Sequence, residues 1–274
     1  MLPEDLRAPS LAAALQGGVL GESQEVVGVA ESTMDLAWAA RDRGAPHGHL
    51  VVADRQRAVR GSYGRRWTSP GGSDLYFSLL LRPDGRRPPP PDVLAMVPLA
   101  AGLAVADEAR RAGRPALVKW PNDVVVPGPR RLAKLAGSLV EARAPAGTAT
   151  PDLVVGVGLN VGRQSFPDFG EGHLPGTSLA LEGVPASRPA TLRGVLDALA
   201  VRLARRHTEG AAALAAAVAE RLWARGEEVL LTVEGRPPEL CTLRGLAPDG
   251  ALRVASGGEE RAVRSGRLAP AQYQ

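Results

Sequence analysis

The sequence predicts an α+β fold, built on a mixed sheet and followed by a small all-β appendage at the carboxy-terminal end. Three observations predict it. Short β-branched runs recur between residues 26 and 161, segments of helical period interleave with them, and after Trp223 the pattern changes to brief strand-like runs divided by Gly- and Pro-bearing turns.

The elements follow in order. VVGVA (26–30) reads as a strand, and Glu31-Ser32-Thr33 leads into a helix with Leu36, Ala39 and Ala40 on one side. HLVVAD (49–54) is apolar and β-branched, so it predicts a buried strand; the Gly-, Ser- and Arg-rich stretch 55–73 predicts a long loop, and loops of that size inside compact domains usually carry function. DLYFSLLLRP (74–83) returns as a strand. A Pro-rich connection ends at Asp92, a candidate N-cap for a helix from about Val93 to Arg111. ALVKW, a PND turn and VVV predict two short strands, and KLAGSLVEAR and DLVVGVGLNV a further pair. Residues Ala190–Ala224 carry helical spacing broken near Gly210. VLLTV, LCTLRGL, ALRVA and RAVRS complete the appendage, so the expected division is 1–225 and 226–274.

With 274 residues and 45% hydrophobic content the chain can bury a large core. Its one cysteine, Cys241, excludes an internal disulfide and any cysteine-rich zinc site. Acidic residues near the amino terminus, and no run of eighteen apolar residues, argue against a secretory signal and a membrane span; the expectation is a cytoplasmic protein. The net charge of +4 is scattered among acidic residues rather than gathered in a stripe, so no nucleic-acid partner is expected.

Arginine dominates the basic residues, and that bias makes the exceptions informative. There are two lysines, Lys119 and Lys134, and two asparagines, Asn122 and Asn160, and three of these four fall within sixteen positions. A chain that drifts to arginine elsewhere but keeps lysine at two neighbouring positions points to a need for a compact ammonium there. Four motifs surround these residues. The loop after residue 54 sets Arg55, Arg57, Arg60, Arg65 and Arg66 around Gly61 and Gly64, suiting an anion approached closely by backbone. Lys119-Trp120-Pro121-Asn122-Asp123 places a cation, an amide and a carboxylate on one turn, and Lys134-Leu135-Ala136-Gly137 opens a strand with an ammonium. Val155-Gly156-Val157-Gly158-Leu159-Asn160 resembles a dinucleotide loop but fails on spacing, since Val161 stands where the third glycine belongs; no Walker A string occurs either.

Taken together, EST before a helix, Gln56 with the RG…GRRWTSPGGSDLYFSLLLRP loop, KWPND, KLAGSLVE and GVGLNV resemble the biotin protein ligase family, across nearly the whole chain. The resemblance implies a class II synthetase-like catalytic domain with a seven-stranded sheet and a small SH3-like β-barrel domain. It implies an ATP-dependent ligase that forms biotinyl-5′-AMP and transfers biotin to a lysine of a biotin carboxyl carrier domain of an acyl-CoA carboxylase. Biotin, ATP and Mg2+ would be its ligands, and its state would be monomer or homodimer. By that likeness Ser32, Thr33, Gln56, Arg60, Gly61, Ser62, Lys134, Gly156 and Gly158 contact biotin, and Arg65, Trp67, Lys119, Asn122 and Asn160 contact ATP. Lys134, Arg60 and Asp123 would be catalytic, with Asp123 also a magnesium ligand. Two departures stand out: the family loop GRGRRGR reads VRGSYGR here, with Val59, Ser62 and Tyr63 replacing glycine and two arginines, and Met34 replaces the usual asparagine. The loop change is expected to weaken retention of the adenylate. The alternatives are a lipoate or acyl-acid ligase on the related core, or a non-catalytic sensor of the biotin adenylate; the segment before the first strand is too short for a winged helix-turn-helix.

Overall fold

A computed structural model describes residues 2–58, 69–82, 92–128, 132–144, 150–168, 170 and 173–271. Seven strands form the main sheet: β1 (Gln24–Ala30), β2 (Leu50–Gln56), β3 (Leu75–Leu81), β4 (Leu117–Lys119), β5 (Asp123–Pro127), β6 (Leu132–Arg143) and β7 (Asp152–Leu159). Their spatial order is β1-β2-β3-β7-β6-β5-β4; β1 and β2 pair in parallel and every other pair is antiparallel, so the sheet is mixed as expected.

Side chains alternate between the two faces of a strand, and the helices divide them accordingly. One face carries Leu50, Val52, Phe77, Leu79, Val155 and Val157 into the main core, together with residues of α3 (Asp92–Arg111) and α4 (Arg188–Glu209). Gly102 of α3 packs over β4 and β5, where a Cβ would meet Val118 and Val124 at 3.7 Å, an ordinary van der Waals contact. Among the described residues the opposite face is covered at one end by α2 (Thr33–Asp42), which buries Met34, Ala37 and Trp38 on Val51, Leu80 and Val154. What lies uncovered beyond α2 is floored by glycine, as described below.

Two elements near the amino terminus escape a reading of periodicity: a short 3-10 turn (Glu4–Leu6) and α1 (Ala8–Leu15). The turn is tied down by Arg188, a buried guanidinium that ion-pairs with Asp5 and with Asp54 of β2, and the end of α1 by Arg193, which donates to the Ala14 and Gln16 carbonyls. The helical stretch after residue 187 does break at Gly210, whose φ of 84° is left-handed, before α5 (Ala211–Ala219) begins.

The carboxy-terminal strands β8 (Glu228–Thr232), β9 (Glu239–Leu246), β10 (Leu252–Ser256), β11 (Glu259–Val263) and β12 (Arg267–Pro270) form a separate antiparallel sheet in the order β11-β10-β9-β8-β12. β12, four residues with a proline at its end, lies beyond the strands that the sequence predicts. This sheet is joined to the first: the buried Trp120 indole donates to the Gly250 carbonyl at 3.2 Å, and Gly250, at φ 81°, lies against Met96 of α3. Residues 221–223 also hydrogen-bond to Val118 on β4.

Candidate functional site

The pairing register lines up one row across the face that α2 leaves open. Tyr76 on β3 is opposite Gly158 on β7, Gly158 is opposite Gly137 on β6, Gly137 is opposite Asp123 on β5, and Asp123 is opposite Lys119 on β4. Directly opposed residues share a face. Two adjacent glycines therefore floor a groove with a phenol on one side and a carboxylate and an ammonium on the other. A second row, Ser78 opposite Gly156, runs beside it toward α2.

At the α2 end, Ser32 caps the helix by accepting from the Met34 amide at 3.3 Å. Gln56, at the end of β2, accepts through Oε1 from the Thr33 amide (2.8 Å) and hydroxyl (3.1 Å), and Ser78 Oγ donates to Thr33 Oγ1 at 2.8 Å. Gln56 is fixed in turn by its own amide, which donates to Ser69 Oγ at 2.8 Å. Four polar side chains from α2, β2 and β3 thus converge on one corner beside Gly156. Met34, which stands where the resemblance expects asparagine, packs there: a Cβ on Gly156 would come within 3.0 Å of its Cγ and Sδ.

At the far end, a β-bulge sets the geometry. The register of β5 against β6 shifts so that Val124 faces Ala136 and Val125 faces Lys134, leaving Leu135 as an extra residue. In a regular strand, residues 134 and 137 point to opposite faces; the extra residue puts Lys134 on the same face as Gly137 and Asp123. Its stem lies over Gly137, where a Cβ would meet Cε and Nζ at 3.3 Å, and its ammonium sits 2.6 Å from Asp123 Oδ1. Lys119 Nζ stands 3.8 Å from Asp123 Oδ2. Both rare lysines thus face one carboxylate, and only Lys134, 23% exposed, is open enough to reach a ligand in the groove.

A strap of backbone closes this end. Lys134 donates to Pro175 O at 2.7 Å and accepts from the Thr177 amide at 2.9 Å. Asn160, just past β7 and 2% exposed, donates through Nδ2 to Thr177 O (2.9 Å) and Lys134 O (3.4 Å); its Oδ1 has no hydrogen-bond partner among the described residues. Asn122 is engaged differently: its amide donates to Ser138 O at 2.6 Å and so holds the PND turn onto β6.

The structure therefore gathers Ser32, Thr33, Gln56, Gly156, Gly158, Lys134, Asp123, Lys119 and Asn160 along one face. Arg60, Gly61, Ser62, Arg65 and Trp67 lie outside the described residues. The magnesium role expected of Asp123 does not fit its surroundings. A divalent cation on that carboxylate would face two ammonium groups. Residues to which the sequence assigns no role of their own are Gly137 and Ser78, together with the pair Asp74 and Arg163. Gly137 was visible within KLAG; the other three looked like ordinary strand and loop residues.

A model described as the Biotin/lipoate A/B protein ligase family matches residues 26–160. The chain is 35% identical over 170 residues to the bifunctional ligase/repressor BirA of Bacillus spizizenii, covering 61% of this chain and 49% of that protein. It is 38% identical over 118 residues to the biotin–acetyl-CoA-carboxylase ligase of Mycobacterium tuberculosis, covering 42% of this chain and 40% of that protein. The matches thus span half or less of these relatives' lengths. Among solved structures, the biotin protein ligase from Aquifex aeolicus in complex with biotin and ATP aligns over 90% of this chain and 98% of that one, with a TM-score of 0.72 and 26% identity.

Proposed function

We propose, from the premise that the chain belongs to the biotin/lipoate A/B protein ligase family on its biotin protein ligase side, that it joins biotin to a lysine of a carrier domain at the expense of ATP. The observation that carries the reading is the glycine-floored groove with the polar Thr33–Gln56–Ser78 corner at one end and the Lys134 ammonium at the other. A ligand with a compact hydrogen-bonding head and a carboxylate tail fits those two ends.

In the first half-reaction a carboxylate oxygen of biotin attacks the α-phosphorus of ATP, and pyrophosphate leaves. Both reactants are anions, so a cation fixed between them lowers the barrier by offsetting repulsion and the charge that builds on the phosphoryl oxygens. Lys134 is that cation, held in place by Asp123, and Arg60 and Arg65 of the adjoining loop are the expected further ones. Asn160 Oδ1 is the acceptor for an adenine amino group. In the second half-reaction the acceptor amine attacks the acyl carbon of the mixed anhydride and AMP departs. Asp123 is the carboxylate nearest Lys134 and is our candidate to receive the amine's proton. The biotin carboxyl carrier domain of an acyl-CoA carboxylase is the proposed acceptor, and the lipoate reading is the competing one.

The test is pyrophosphate release from ATP with biotin, lipoate or octanoate as the acid, followed by label transfer to a carrier domain. Release dependent on biotin alone is the expected result. Release with lipoate at equal or greater kcat/KM overturns the substrate assignment.

A further inference from the structure

A buried ionic network stands behind the groove, and the proposed chemistry does not use it. Asp74, fully buried, accepts from the Val161 amide through Oδ1 (2.9 Å), and through Oδ2 from Arg163 Nε (2.7 Å) and the Tyr76 hydroxyl (3.0 Å). Arg163 is 7% exposed and also donates to Tyr76 Oη at 2.8 Å. Burial of a charged pair is costly, and a well-packed apolar pair would often serve stability as well or better. Its geometry points instead to what the pair holds.

Arg163 reaches outward in two directions. Its backbone carbonyl accepts from Ser178 Oγ at 2.5 Å, and Ser178 is itself fully buried. Its guanidinium carbon lies 4.9 Å from the centre of the Phe166 ring, a cation–π contact. The ring in turn lies against Gly176, so close that a Cβ there would fall 2.2 Å from Phe166 Cδ1. Gly176 is the residue bridged to Lys134, between the Pro175 and Thr177 hydrogen bonds that clasp the Lys134 backbone. Asp74 meanwhile fixes Val161, the residue after Asn160.

We propose that Arg163 is a positioning residue for the nucleotide end of the site: from its anchor on Asp74 it sets the 175–178 strap, through Phe166 and Ser178, and thereby the places of Asn160 and Lys134. This inference rests on the assignment of Asn160 to ATP made above. The ATP end should respond more than the biotin end: the Lys134 side chain, which also serves the biotin carboxylate, is held by Asp123, and the Thr33–Gln56–Ser78 corner has no direct bond to Arg163 or Phe166 among those described, only a route through Tyr76 and Ser69.

Phe166→Ala tests the relay without removing either member of the buried ion pair, and Arg163→Lys keeps the charge while removing the planar fork. ATP and biotin binding are measured separately by calorimetry for these variants, for Asn160→Ala, and for Asn160→Ala combined with Phe166→Ala. The expected result is an approximately tenfold loss of ATP affinity in each single variant with biotin affinity within about twofold. The double variant should lose little beyond Asn160→Ala alone, since groups acting through one another are not additive. Hydrogen exchange at the Lys134 and Thr177 amides should accelerate in Phe166→Ala. Equal losses of biotin and ATP affinity, or additive losses in the double variant, overturn the proposal. If the unaltered protein binds neither biotin nor ATP, the ligase reading falls; the relay is then decided by exchange alone, and unchanged exchange at Lys134 and Thr177 overturns it.

Discussion

Gly137→Ala isolates the geometry on which the site depends. A methyl group at this position meets Lys134 Cε and Nζ at 3.3 Å, close enough that the neighbour must give by a few tenths of an ångström, and Asp123 Oδ1 at an ordinary 3.5 Å. The lysine is the flexible partner, so it moves, and its 2.6 Å contact with Asp123 loosens as it lifts off the floor. The fold should hardly notice. Gly137 does not have a positive φ, and replacing glycine by alanine in compatible backbone stabilises by about 0.4–1 kcal/mol through the unfolded chain, offsetting the crowding. Catalysis is more sensitive, because a displacement of about 1 Å can cost on the order of 100-fold in rate. For a shift of a few tenths of an ångström, roughly a tenfold fall in the rate of biotin-dependent pyrophosphate release is expected, with a thermal midpoint within about 3 °C of the parent. A full rate in Gly137→Ala would refute the claim that Lys134 acts from across this glycine. A large drop in melting temperature would show that the glycine serves packing instead.

Three other outcomes follow. Gly156→Ala drives a methyl group to within 3.0 Å of Met34 Cγ and Sδ, and should cost about 1–3 kcal/mol by denaturant titration and weaken biotin binding more than ATP binding; unchanged biotin affinity would detach Gly156 from the ligand. Arg163→Leu strands the fully buried Asp74 carboxylate and should destabilise by about 3–5 kcal/mol in urea, whereas pairing it with Asp74→Leu should recover much of the loss; no recovery would mean that the pair is not the source. Burial holds the imidazole of His49, bonded to Ser23 Oγ at 2.8 Å, below its ordinary pKa of 6.5. The unfolded chain then takes up that proton first, so His49's contribution is intact above 6.5 and declines as pH falls below it. Urea midpoints should drop between neutral pH and pH 5, and His49→Gln should flatten that slope; an identical slope in the variant would remove His49 as its cause.

The sheet was legible because its strands are short β-branched runs and its helices keep a clean apolar period. α1 and β12 were not: one is an alanine-rich segment stabilised by tertiary contact, the other four residues long with a proline. At the site, scarcity did the signalling. Lys119, Lys134 and Asn160 stood out against an arginine-rich background, and the structure brings all three to one end of the groove. The same background hid Arg163, one arginine among many, whose importance lies in a partner eighty-nine positions away. Nor could spacing reveal the bulge at Leu135, since regular strand parity puts Lys134 on the wrong face and only the register with β5 corrects it. Trp120 strengthened the KWPND motif in the sequence, yet its indole bonds to Gly250 and ties the two sheets together. Asn122 likewise holds its own turn.

The most direct trial of the central claim is the fate of oxygen from biotin labelled with 18O in both carboxylate positions. If the Lys134 ammonium brings that carboxylate onto the α-phosphorus, the AMP released on transfer carries one 18O, and Lys134→Ala lowers the rate of labelled AMP formation by about 100-fold or more. Unlabelled AMP, or an undiminished rate without Lys134, would contradict it.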